Sequence, residues 1–483
     1  MADLSAKFVI LQSFNVKDIF NQIIYMKKLI SALLLLMAAT TITAQQLIKT
    51  PVPARPHGQQ DVIELTIPKM DVVRIGIVGL GMRGPGAVTR LSQIEGTDIV
   101  ALCDVRKECV EAANDILKHN KRHKAVLYSG STDAYRAMCE RDDIDLVYIA
   151  TDWIHHVPIA LYAMEHGKNV AIEVPAATNM EDIWALINTS ERTRKHCMML
   201  ENCCYDFFEV SCLNMAQQGL FGEVLHVEGA YQHNLSDFWD LYWNNWRLTF
   251  NHENRGDVYP THGFGPDCQV LNIHRGNRLD YLVAMDTKPV NGPKSVKKQT
   301  GEECTDFANG DQTSTLIRTI NGQSILIQHD VMTPRPYSRK YQIVGSEGYA
   351  TKYPIEELCF RKEYLEEKEG KTFDKLSTHA AVSEEVRREL LEKYTPDFVK
   401  EISEVAKSVG GHGGMDYIMD YRLIYCLRNG LPLDMDVYDM AEWCCLGELS
   451  RLSLENGSAP VAIPDFTRGS WQKVKGFSWK FAQ

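Results

Sequence analysis

A short glycine-rich stretch, GLGMRG at 79–84, has the composition of a loop that cradles phosphate groups. Glycines at these spacings allow a tight turn and the close approach of a pyrophosphate. A helix that starts there adds N–H donors and the positive end of its dipole. The buried-strand pattern VVRIGIVG at 72–79 precedes the loop and a helical pattern follows it, as this motif requires. We therefore expect Gly79 and Gly81 to form part of a dinucleotide site.

An acidic residue stands where such a site needs one. Asp104 ends the apolar stretch DIVALCD, 20 residues after Gly84. A carboxylate there hydrogen-bonds the adenosine ribose diol and repels a 2′-phosphate, which favours NAD over NADP. Arg106 is an opposing feature, because it could pair with that phosphate. A glycine-rich turn without any ligand is the alternative interpretation.

Two further strand ends are predicted to face the same crevice. TDWIHH at 151–156 follows one apolar strand and Glu173 follows the next. Ligands of open parallel sheets bind beyond the carboxyl ends of the strands. We expect Trp153 and His156 to contact the nicotinamide half of the cofactor, the alternative being that they merely cap a helix.

The elements that carry these residues alternate between strand and helix, which predicts a parallel sheet with helices on both faces. Residues 71–204 are thus predicted to form an NAD-binding Rossmann domain, an α/β doubly wound sheet. Its predicted strands are 72–79, 98–104, 145–151, 169–175 and 197–202, and its predicted helices are 87–94, 157–167 and 179–196.

The pattern changes after residue 205. Alternating apolar stretches with Gly or Asn-Gly turns predict antiparallel strands, and helical segments follow them. Residues 205–483 are therefore predicted to form a substrate-binding α+β domain with an open, mainly antiparallel sheet. The stretches concerned are 223–232, 313–322, 323–331 and 340–350 for strands, and 382–394 and 416–428 for helices.

Composition narrows the class of protein. The chain has 483 residues, enough for about two or three domains. A net charge of −11 argues against a nucleic-acid partner, which needs a basic face. The 13 cysteines include no zinc-type CxxC pair, so we interpret most of them as buried thiols and assign no metal ligands.

The N-terminus carries an export pattern. From Met26, two lysines, an apolar run at 29–39 and a small residue at Ala44 predict a signal peptide at 26–44 and an exported protein without stable membrane insertion. Residues 1–25 are then an upstream extension, and 45–70 a Pro-containing lead-in. A buried N-terminal helix is the alternative.

Longer motifs identify a family. With GLGMRG, CDVR, TDWIHH and EVP in this order, the chain resembles the glucose–fructose oxidoreductase/inositol dehydrogenase superfamily. It is similar in particular to glycoside hydrolase family 109, whose best-known activity is α-N-acetylgalactosaminidase. TDW stands where TPW is more usual. The narrowing motifs are NRGDVYPTHGFGP (254–266), PRPYSR (334–339), the stretch 411–439 and PDFTRG (464–469).

The resemblance implies a set of site residues and a small glycoside, or the non-reducing end of a glycan, as the substrate; a homo-oligomer is compatible with it. The residues implied to hold NAD are Met82, Arg83, Asp104, Trp153, Ile154, His155, His156, Glu173, Val174 and Asn202. Those implied to line the sugar pocket are Tyr231, Arg247, Tyr259, Pro260, Thr261, His262 and Tyr337.

Val174 replaces the lysine that dehydrogenases of the superfamily carry after the glutamate. In the hydrolytic route, NAD oxidises the sugar 3-hydroxyl, a base removes the acidified hydrogen on carbon 2, the aglycone leaves, water adds and the ketone is reduced again. We expect His262, in a predicted polar loop, to manage the hydroxyl proton, since imidazole titrates near neutrality. Tyr259 could relay or orient, and Tyr205 is a second candidate base for carbon 2.

Two other functions remain open. One is a net sugar dehydrogenase that releases NADH, which Val174 and export argue against. The other is a non-catalytic module that binds a sugar or a nucleotide.

Overall fold

The computed structural model describes residues 16–39 and 46–482. Residues 16–39 form one helix, α1 (Val16–Ala39), which belongs to a separate unit from the compact body that begins at Leu47. The predicted start of the signal peptide, Met26, lies inside α1, and residues 40–44 at its predicted end lie outside the described residues. Among the described helices, none combines the length and the hydropathy needed to cross a bilayer.

The first sheet of the body is parallel and has six strands in the order β3-β2-β1-β4-β5-β6. This is the doubly wound order, with its switch point between the neighbours β1 and β4. It confirms the predicted Rossmann fold. The strands are β1 (Val73–Val78), β2 (Thr97–Cys103), β3 (Val126–Tyr128), β4 (Leu146–Ile149), β5 (Asn169–Ile172) and β6 (Cys197–Met199); the helices are α2 (Gly84–Leu91), α3 (Lys107–His119), α4 (Ala134–Cys139), α5 (Trp153–Glu165) and α6 (Met180–Thr193).

The second sheet has eight strands in the order β13-β12-β11-β7-β10-β9-β8-β14. Only the β7–β10 pair is parallel among its described strands, which confirms the mainly antiparallel prediction. The strands are β7 (Val224–Gln232), β8 (Leu279–Asp286), β9 (Thr313–Thr319), β10 (Ser324–Asp330), β11 (Tyr341–Gly345), β12 (Gly348–Thr351), β13 (Glu357–Phe360) and β14 (Val461–Ala462).

Ten helices accompany this sheet within the described part of the chain. They are α7 (Phe207–Gln217), α8 (Trp246–Glu253), α9 (Thr261–Val270), α10 (Asn291–Thr300), α11 (Lys362–Glu369), α12 (Glu384–Tyr394), α13 (Asp397–Val409), α14 (Met415–Asn429), α15 (Val437–Cys444) and α16 (Leu446–Glu455).

Helix α9 lies directly against the centre of the second sheet because two glycines face each other. A Cβ on Gly229 of β7 would lie 2.6 Å from the carbonyl carbon of Gly263, and a Cβ on Gly263 would lie 2.2 Å from the nitrogen of Ala230. Neither strand nor helix could carry a side chain at this contact. The first turn of α9, which contains His262, is therefore fixed to the sheet. The predicted polar loop around His262 is wrong, since the residue lies inside α9.

The lead-in packs along the body without helix. Ile48 forms a β-bridge with Val461, and the Arg55 guanidinium pairs with the buried Glu191 carboxylate at 3.0 Å. All 13 cysteines lie among the described residues and are free thiols, ten of them buried.

Candidate active site

A cleft of about 520 Å³ opens at the carboxyl ends of β1, β2 and β4. Its size is that of a small-molecule site. Six of the residues that the sequence assigned to the cofactor line it. They are Gly79, Gly81, Met82, Arg83, Asp104 and His155.

The three glycines of the loop serve different ends. Gly79 has φ +88°, and a Cβ there would lie 2.5 Å from the Ala150 backbone; a Cβ on Gly84 would lie 2.1 Å from the Gly79 oxygen. These two glycines are required for the turn itself. At Gly81 a Cβ would meet only the Arg106 guanidinium, at 2.9 Å, so this glycine keeps the cleft floor clear.

Asp104 is buried and holds the loop in place. Its Oδ2 accepts a hydrogen bond from the Leu80 N–H at 2.7 Å, and its Oδ1 accepts one from the Arg106 N–H at 2.9 Å. The Arg106 guanidinium also donates to Oδ1, at 3.4 Å, so it is Oδ2 that can accept a second bond, from the ribose diol of a dinucleotide. The Arg106 guanidinium lies 5.3 Å from the Trp243 ring, which makes it part of the cleft wall.

The second domain contributes a wall that the sequence reasoning missed. Asp240, Leu241, Tyr242, Trp243 and Trp246 all line the cleft, from the segment just before α8 and its first residue. Aromatic residues and a polar rim are typical of dinucleotide clefts. The dense run FWDLYWNNW was the available signal.

Beside the cleft, Arg83 joins the ends of three elements. Its guanidinium pairs with Glu173 after β5 at 3.0 Å and with Asp416 of α14 at 3.2 Å. Asn202, after β6, donates to Asp416, and His412 lies 3.0 Å from the same carboxylate. Burial raises the pKa of Asp416, but His412, Arg83 and Arg90 outweigh it and hold the pKa well below its ordinary value. The Asp416 carboxylate is thus charged, and Arg83, Asn202 and His412 already contact it.

An aromatic cage surrounds Arg247 of α8. Trp153 stacks on Tyr259, with ring centroids 5.5 Å apart, and the guanidinium lies 4.6 Å from the Tyr259 ring and 5.2 Å from Trp153. One guanidinium nitrogen donates to the Tyr242 hydroxyl at 2.6 Å. Nε and Nη2 have no partner among the described residues although Arg247 is buried. Two donor nitrogens, with three N–H groups, are therefore left for a ligand.

Three side chains form a hydrogen-bonded chain at the N-terminus of α9. Glu201 Oε1 lies 2.6 Å from Nδ1 of His262, and Nε2 of His262 lies 3.1 Å from the Tyr259 hydroxyl. Burial lowers the pKa of His262, against the pull of Glu201. Burial raises the pKa of Glu201, but His262 keeps it below its ordinary value. A charged carboxylate that orients a neutral imidazole is the arrangement of a general base.

Glu201 was missed by the sequence reasoning, although it lies in the predicted strand 197–202. Its Oε1 also accepts the Cys203 N–H at 3.1 Å, which fixes the carboxylate from the backbone. Nothing in the sequence distinguished it from its neighbour Asn202.

A further group of side chains, from β7 to the segment before β11, lies next to Tyr231. The Tyr231 hydroxyl lies 3.0 Å from Nδ1 of His233, whose ring meets Tyr337 edge-on at 4.8 Å. Tyr337 is 39% exposed and receives a hydrogen bond from Arg339. The Arg339 guanidinium also contacts the Cys203 thiol at 2.9 Å. His233 and Arg339 had no role assigned from the sequence.

Other predicted residues shape the site from behind or lie outside it. Both ring nitrogens of the fully buried His156 contact backbone carbonyls, those of Pro175 and Thr151, so its predicted contact with nicotinamide is wrong. Ile154 is 66% exposed and does not line the cleft. The Val174 carbonyl accepts the Trp153 indole N–H at 3.1 Å.

Tyr205 also lies elsewhere. Its ring is fully buried and its hydroxyl donates to Asp434, which Arg422 holds from the other side. Burial first, and then Asp434, raises the pKa of Tyr205 well above its ordinary value. We therefore withdraw Tyr205 as a candidate base.

The first residues of α9 and α5 are structural. Pro260 occupies the N-cap of α9 and Thr261 its first, fully buried turn. Asp152 caps α5 by accepting the His155 N–H.

Comparison with protein families gives two matches that divide the chain. Residues 73–201 match the family described as "Oxidoreductase family, NAD-binding Rossmann fold", and residues 205–473 match "Glycosyl hydrolase 109, C-terminal domain".

Curated relatives match over nearly their whole length. "Glycosyl hydrolase family 109 protein 1" of Bacteroides fragilis is 64% identical, covering 93% of this chain and 98% of the relative. The protein of the same name from Bacteroides thetaiotaomicron is 65% identical over 90% and 93%. The family 109 protein of Porphyromonas gingivalis is 62% identical over 94% and 97%.

Solved structures share the fold at low identity. A levoglucosan dehydrogenase in complex with NADH superposes with a TM-score of 0.60 at 16% identity, covering 81% of this chain and 99% of that one. The myo-inositol dehydrogenase of Lactobacillus casei, in complex with NAD(H) and myo-inositol, gives a TM-score of 0.54 at 15% identity over 82% and 99%.

Proposed function

The chain belongs to glycoside hydrolase family 109, and we propose that it is an exported α-N-acetylgalactosaminidase that keeps its NAD through each catalytic cycle. It is an NAD-dependent glycosidase by its family and its Rossmann domain. The observation that carries the proposed NAD-retaining mechanism is the Glu201–His262–Tyr259 chain, which supplies a base without the lysine that position 174 lacks.

The cleft fits the cofactor. The glycine turn at Gly79 and Gly84 leaves backbone N–H groups at the start of α2 for the pyrophosphate, and Asp104 lies where the ribose diol binds. When bound, NAD supplies a reversible acceptor for the hydrogen on carbon 3 of the sugar. Met82, Arg106 and the aromatic wall at 240–246 would hold it in the cleft.

We assign the proton of the 3-hydroxyl to His262. Its Nδ1–H donates to Glu201, which leaves the lone pair of Nε2 on the side of Tyr259. A pKa lowered by burial keeps the imidazole neutral near pH 7, ready to accept that proton. Tyr259 lies within reach to pass the proton or to orient the hydroxyl.

We assign the sugar to the cage around Arg247. Aromatic faces suit the apolar side of a pyranose ring, and the two unpartnered guanidinium nitrogens of Arg247 suit an acceptor such as a hydroxyl or an enolate oxygen. Tyr231 and Tyr337 would border the same pocket. The N-acetylgalactosamine specificity rests on the family resemblance.

The proposed route predicts a specific isotope pattern, because elimination removes the hydrogen on carbon 2 to a base and solvent later replaces it. The enzyme is run in heavy water on a chromogenic α-N-acetylgalactosaminide. We expect deuterium at carbon 2 of the released sugar and the original hydrogen at carbon 3. Carbon 2 still carrying protium at full turnover would refute the mechanism.

The same experiment separates the alternatives. A glycosidase with two carboxylates exchanges neither position. A net dehydrogenase yields a keto-sugar with stoichiometric NADH. A binding module retains NAD and releases no chromophore from any member of a panel of α- and β-glycosides.

Export is tested by the mature N-terminus. The two lysines at 27–28, the apolar run and Ala44 support cleavage near Gln45. Mass spectrometry of the natural protein should find a chain that starts there outside the cytoplasm. A full-length cytoplasmic chain would contradict this part of the proposal.

A further inference from the structure

We propose that His252, Cys304 and Asp306 form a binding site for Zn²⁺ or a similar divalent transition ion. The three side chains converge on one point although they are up to 54 residues apart in sequence. They lie outside the cofactor cleft and the sugar cage described above.

The distances match one face of a zinc tetrahedron. His252 Nε2 lies 2.9 Å from Asp306 Oδ1 and 3.6 Å from Cys304 Sγ, and Cys304 Sγ lies 3.5 Å from Asp306 Oδ1. Zinc–ligand bonds of roughly 2.0–2.3 Å at tetrahedral angles separate ligand atoms by about 3.3–3.6 Å. An ion would require only the nitrogen–oxygen pair to open, by about 0.4 Å on that geometry.

The backbone already holds the ligands in place. His252 occupies the last turn of α8, and its ring stacks on Phe307 with centroids 5.3 Å apart and an angle of 11°. The Ala308 N–H donates to the His252 carbonyl at 2.9 Å, and the Asn309 amide donates to the Asn251 side chain at 3.0 Å. Cys304 and Asp306 therefore lie on a segment whose next residues, Ala308 and Asn309, are hydrogen-bonded to α8.

The donor set selects the class of ion. Thiolate and imidazole favour Zn²⁺ over Mg²⁺ and Ca²⁺, which prefer oxygen ligands. Asp306 is 80% exposed on its side chain, so water can complete the fourth position. Two other clusters of side chains that could bind a metal ion already have other partners. In the first, Glu201 and His262 are bonded to each other. In the second, Arg275 occupies both oxygens of Asp439.

The ion would connect α10 to the helix that carries Arg247. Cys304 and Asp306 follow the end of α10 at Thr300, and α8 begins at Trp246, which contacts Trp153 at 5.1 Å. We infer a structural role for the site: metal binding stiffens the segment that borders the sugar cage.

Cobalt gives a direct test, because Co²⁺ takes the place of Zn²⁺ and a thiolate ligand adds a sulfur-to-metal charge-transfer band in the near ultraviolet. Co²⁺ is titrated into the reduced, untagged holoenzyme. We expect one equivalent to produce the band. In Cys304→Ser the band should be absent, and Zn²⁺ affinity in a dye competition should fall by at least about tenfold.

Cys359→Ser is the matched control, since this half-buried thiol donates to the backbone carbonyl of Ser377 and lies outside the proposed cluster. It should retain the band and the affinity. A band that survives in Cys304→Ser, or a wild-type holoenzyme that gives none, overturns the proposal. Loss of the band in Cys203→Ser instead would move the site to the Glu201–His262 cluster and equally overturn it.

Thermal unfolding provides a second readout. Zn²⁺ should raise the melting temperature of the wild type and of Cys359→Ser, and leave that of Cys304→Ser and Asp306→Asn unchanged. Equal shifts in all four proteins would show that the stabilising ion binds elsewhere.

Discussion

Replacement of Glu201 by glutamine tests the hydrogen-bonded chain Glu201–His262–Tyr259, the proton chain, at its fully buried end. The substitution keeps the shape of the side chain and removes its charge. The Cys203 N–H, which donates to Oε1, should hold the amide oxygen in the place of that carboxylate oxygen. His262 would then keep Nδ1–H pointed at residue 201 and its lone pair on Nε2. The tautomer is preserved, and only the charge-assisted part of the bond is lost.

The expected loss of kcat follows from the strength of the Glu201–His262 hydrogen bond. A buried hydrogen bond to a charged group, here 2.6 Å long, contributes about 1.5–3 kcal/mol. At about 1.4 kcal/mol per tenfold, kcat should fall roughly 10- to 150-fold. The NAD content should not change, because Glu201 does not line the cleft. A much larger loss, near 10⁴-fold, would mean that the tautomer had inverted.

The pH profile of kcat shows in which direction the substitution moves the pKa of His262. The Glu201 carboxylate raises the pKa of His262 against the lowering effect of burial. Without the charge that pKa falls further, so the acid limb of kcat, which reports protonation of His262, should move to lower pH. The assay measures initial rates on a chromogenic α-N-acetylgalactosaminide across pH, together with NAD released on denaturation.

Asp267→Asn is the matched control. Asp267 is also a fully buried acidic residue, on α9 itself, and burial raises its pKa well above the ordinary range. Its variant should keep kcat within about twofold and an unshifted acid limb, because neither Asp267 oxygen has a hydrogen-bond partner among the described residues. Wild-type rates in Glu201→Gln, with the acid limb in place, would refute the role of the chain.

Three further outcomes follow from the geometry. Asp104→Ala should weaken NAD by about 1–3 kcal/mol, since it loses a charge-assisted bond and frees the Leu80 N–H; full NAD content after dialysis would contradict this. Val174→Lys should slow hydrolysis and enrich NADH in the absorbance spectrum, because an ammonium beside Glu173 competes with an existing ion pair and repels oxidised nicotinamide; unchanged rates would show that residue 174 does not face the chemistry. His274→Asn should cost about 3–5 kcal/mol, measured by denaturant unfolding, because the buried Glu442 carboxylate of α15 loses its partner. Burial lowers the pKa of His274, but Glu442, Asp439 and Asp436 raise it to about 10, so in the wild type this stabilisation should be complete below the unfolded pKa of about 6.5 and decline as pH rises towards 10.

The Rossmann half was predictable because its signals are local. Continuous apolar runs predict buried parallel strands: β1, β4, β5 and β6 fall within the predicted stretches, and β2 begins one residue before its predicted start. The glycine turn and Asp104 are likewise tied to one βαβ unit, so their spacing alone places them together.

The proton chain was only half predictable, because it depends on contacts between distant segments. His262 and Tyr259 came from the family motif, but a helix whose first turn contains Thr-His-Gly next to a proline has weak helical propensity. Packing of Gly263 on Gly229 overrides that propensity. Glu201 is 61 residues from His262, and no local pattern joins the two.

The same limit explains why Tyr205 was misplaced. Tyr205 looked catalytic because it follows a strand end, yet the chain turns there and buries the ring against Asp434. The proposed zinc ligands His252, Cys304 and Asp306 could not be grouped from the sequence either, because 52 residues separate the histidine from the cysteine, and no zinc motif has that spacing.

The proposed mechanism needs no lysine at position 174, because its base lies on a different element. A lysine after Glu173 would stand on the Rossmann sheet itself, in contact with the Arg83 pair that already neutralises that carboxylate. In the proposed mechanism the base is instead His262, which lies on a helix that two glycines hold against the second sheet and which Glu201 orients from the segment after β6. A neutral imidazole leaves the nicotinamide side of the site without an added positive charge. The oxidised sugar can then be reduced again in place, as a hydrolase requires and a net dehydrogenase does not.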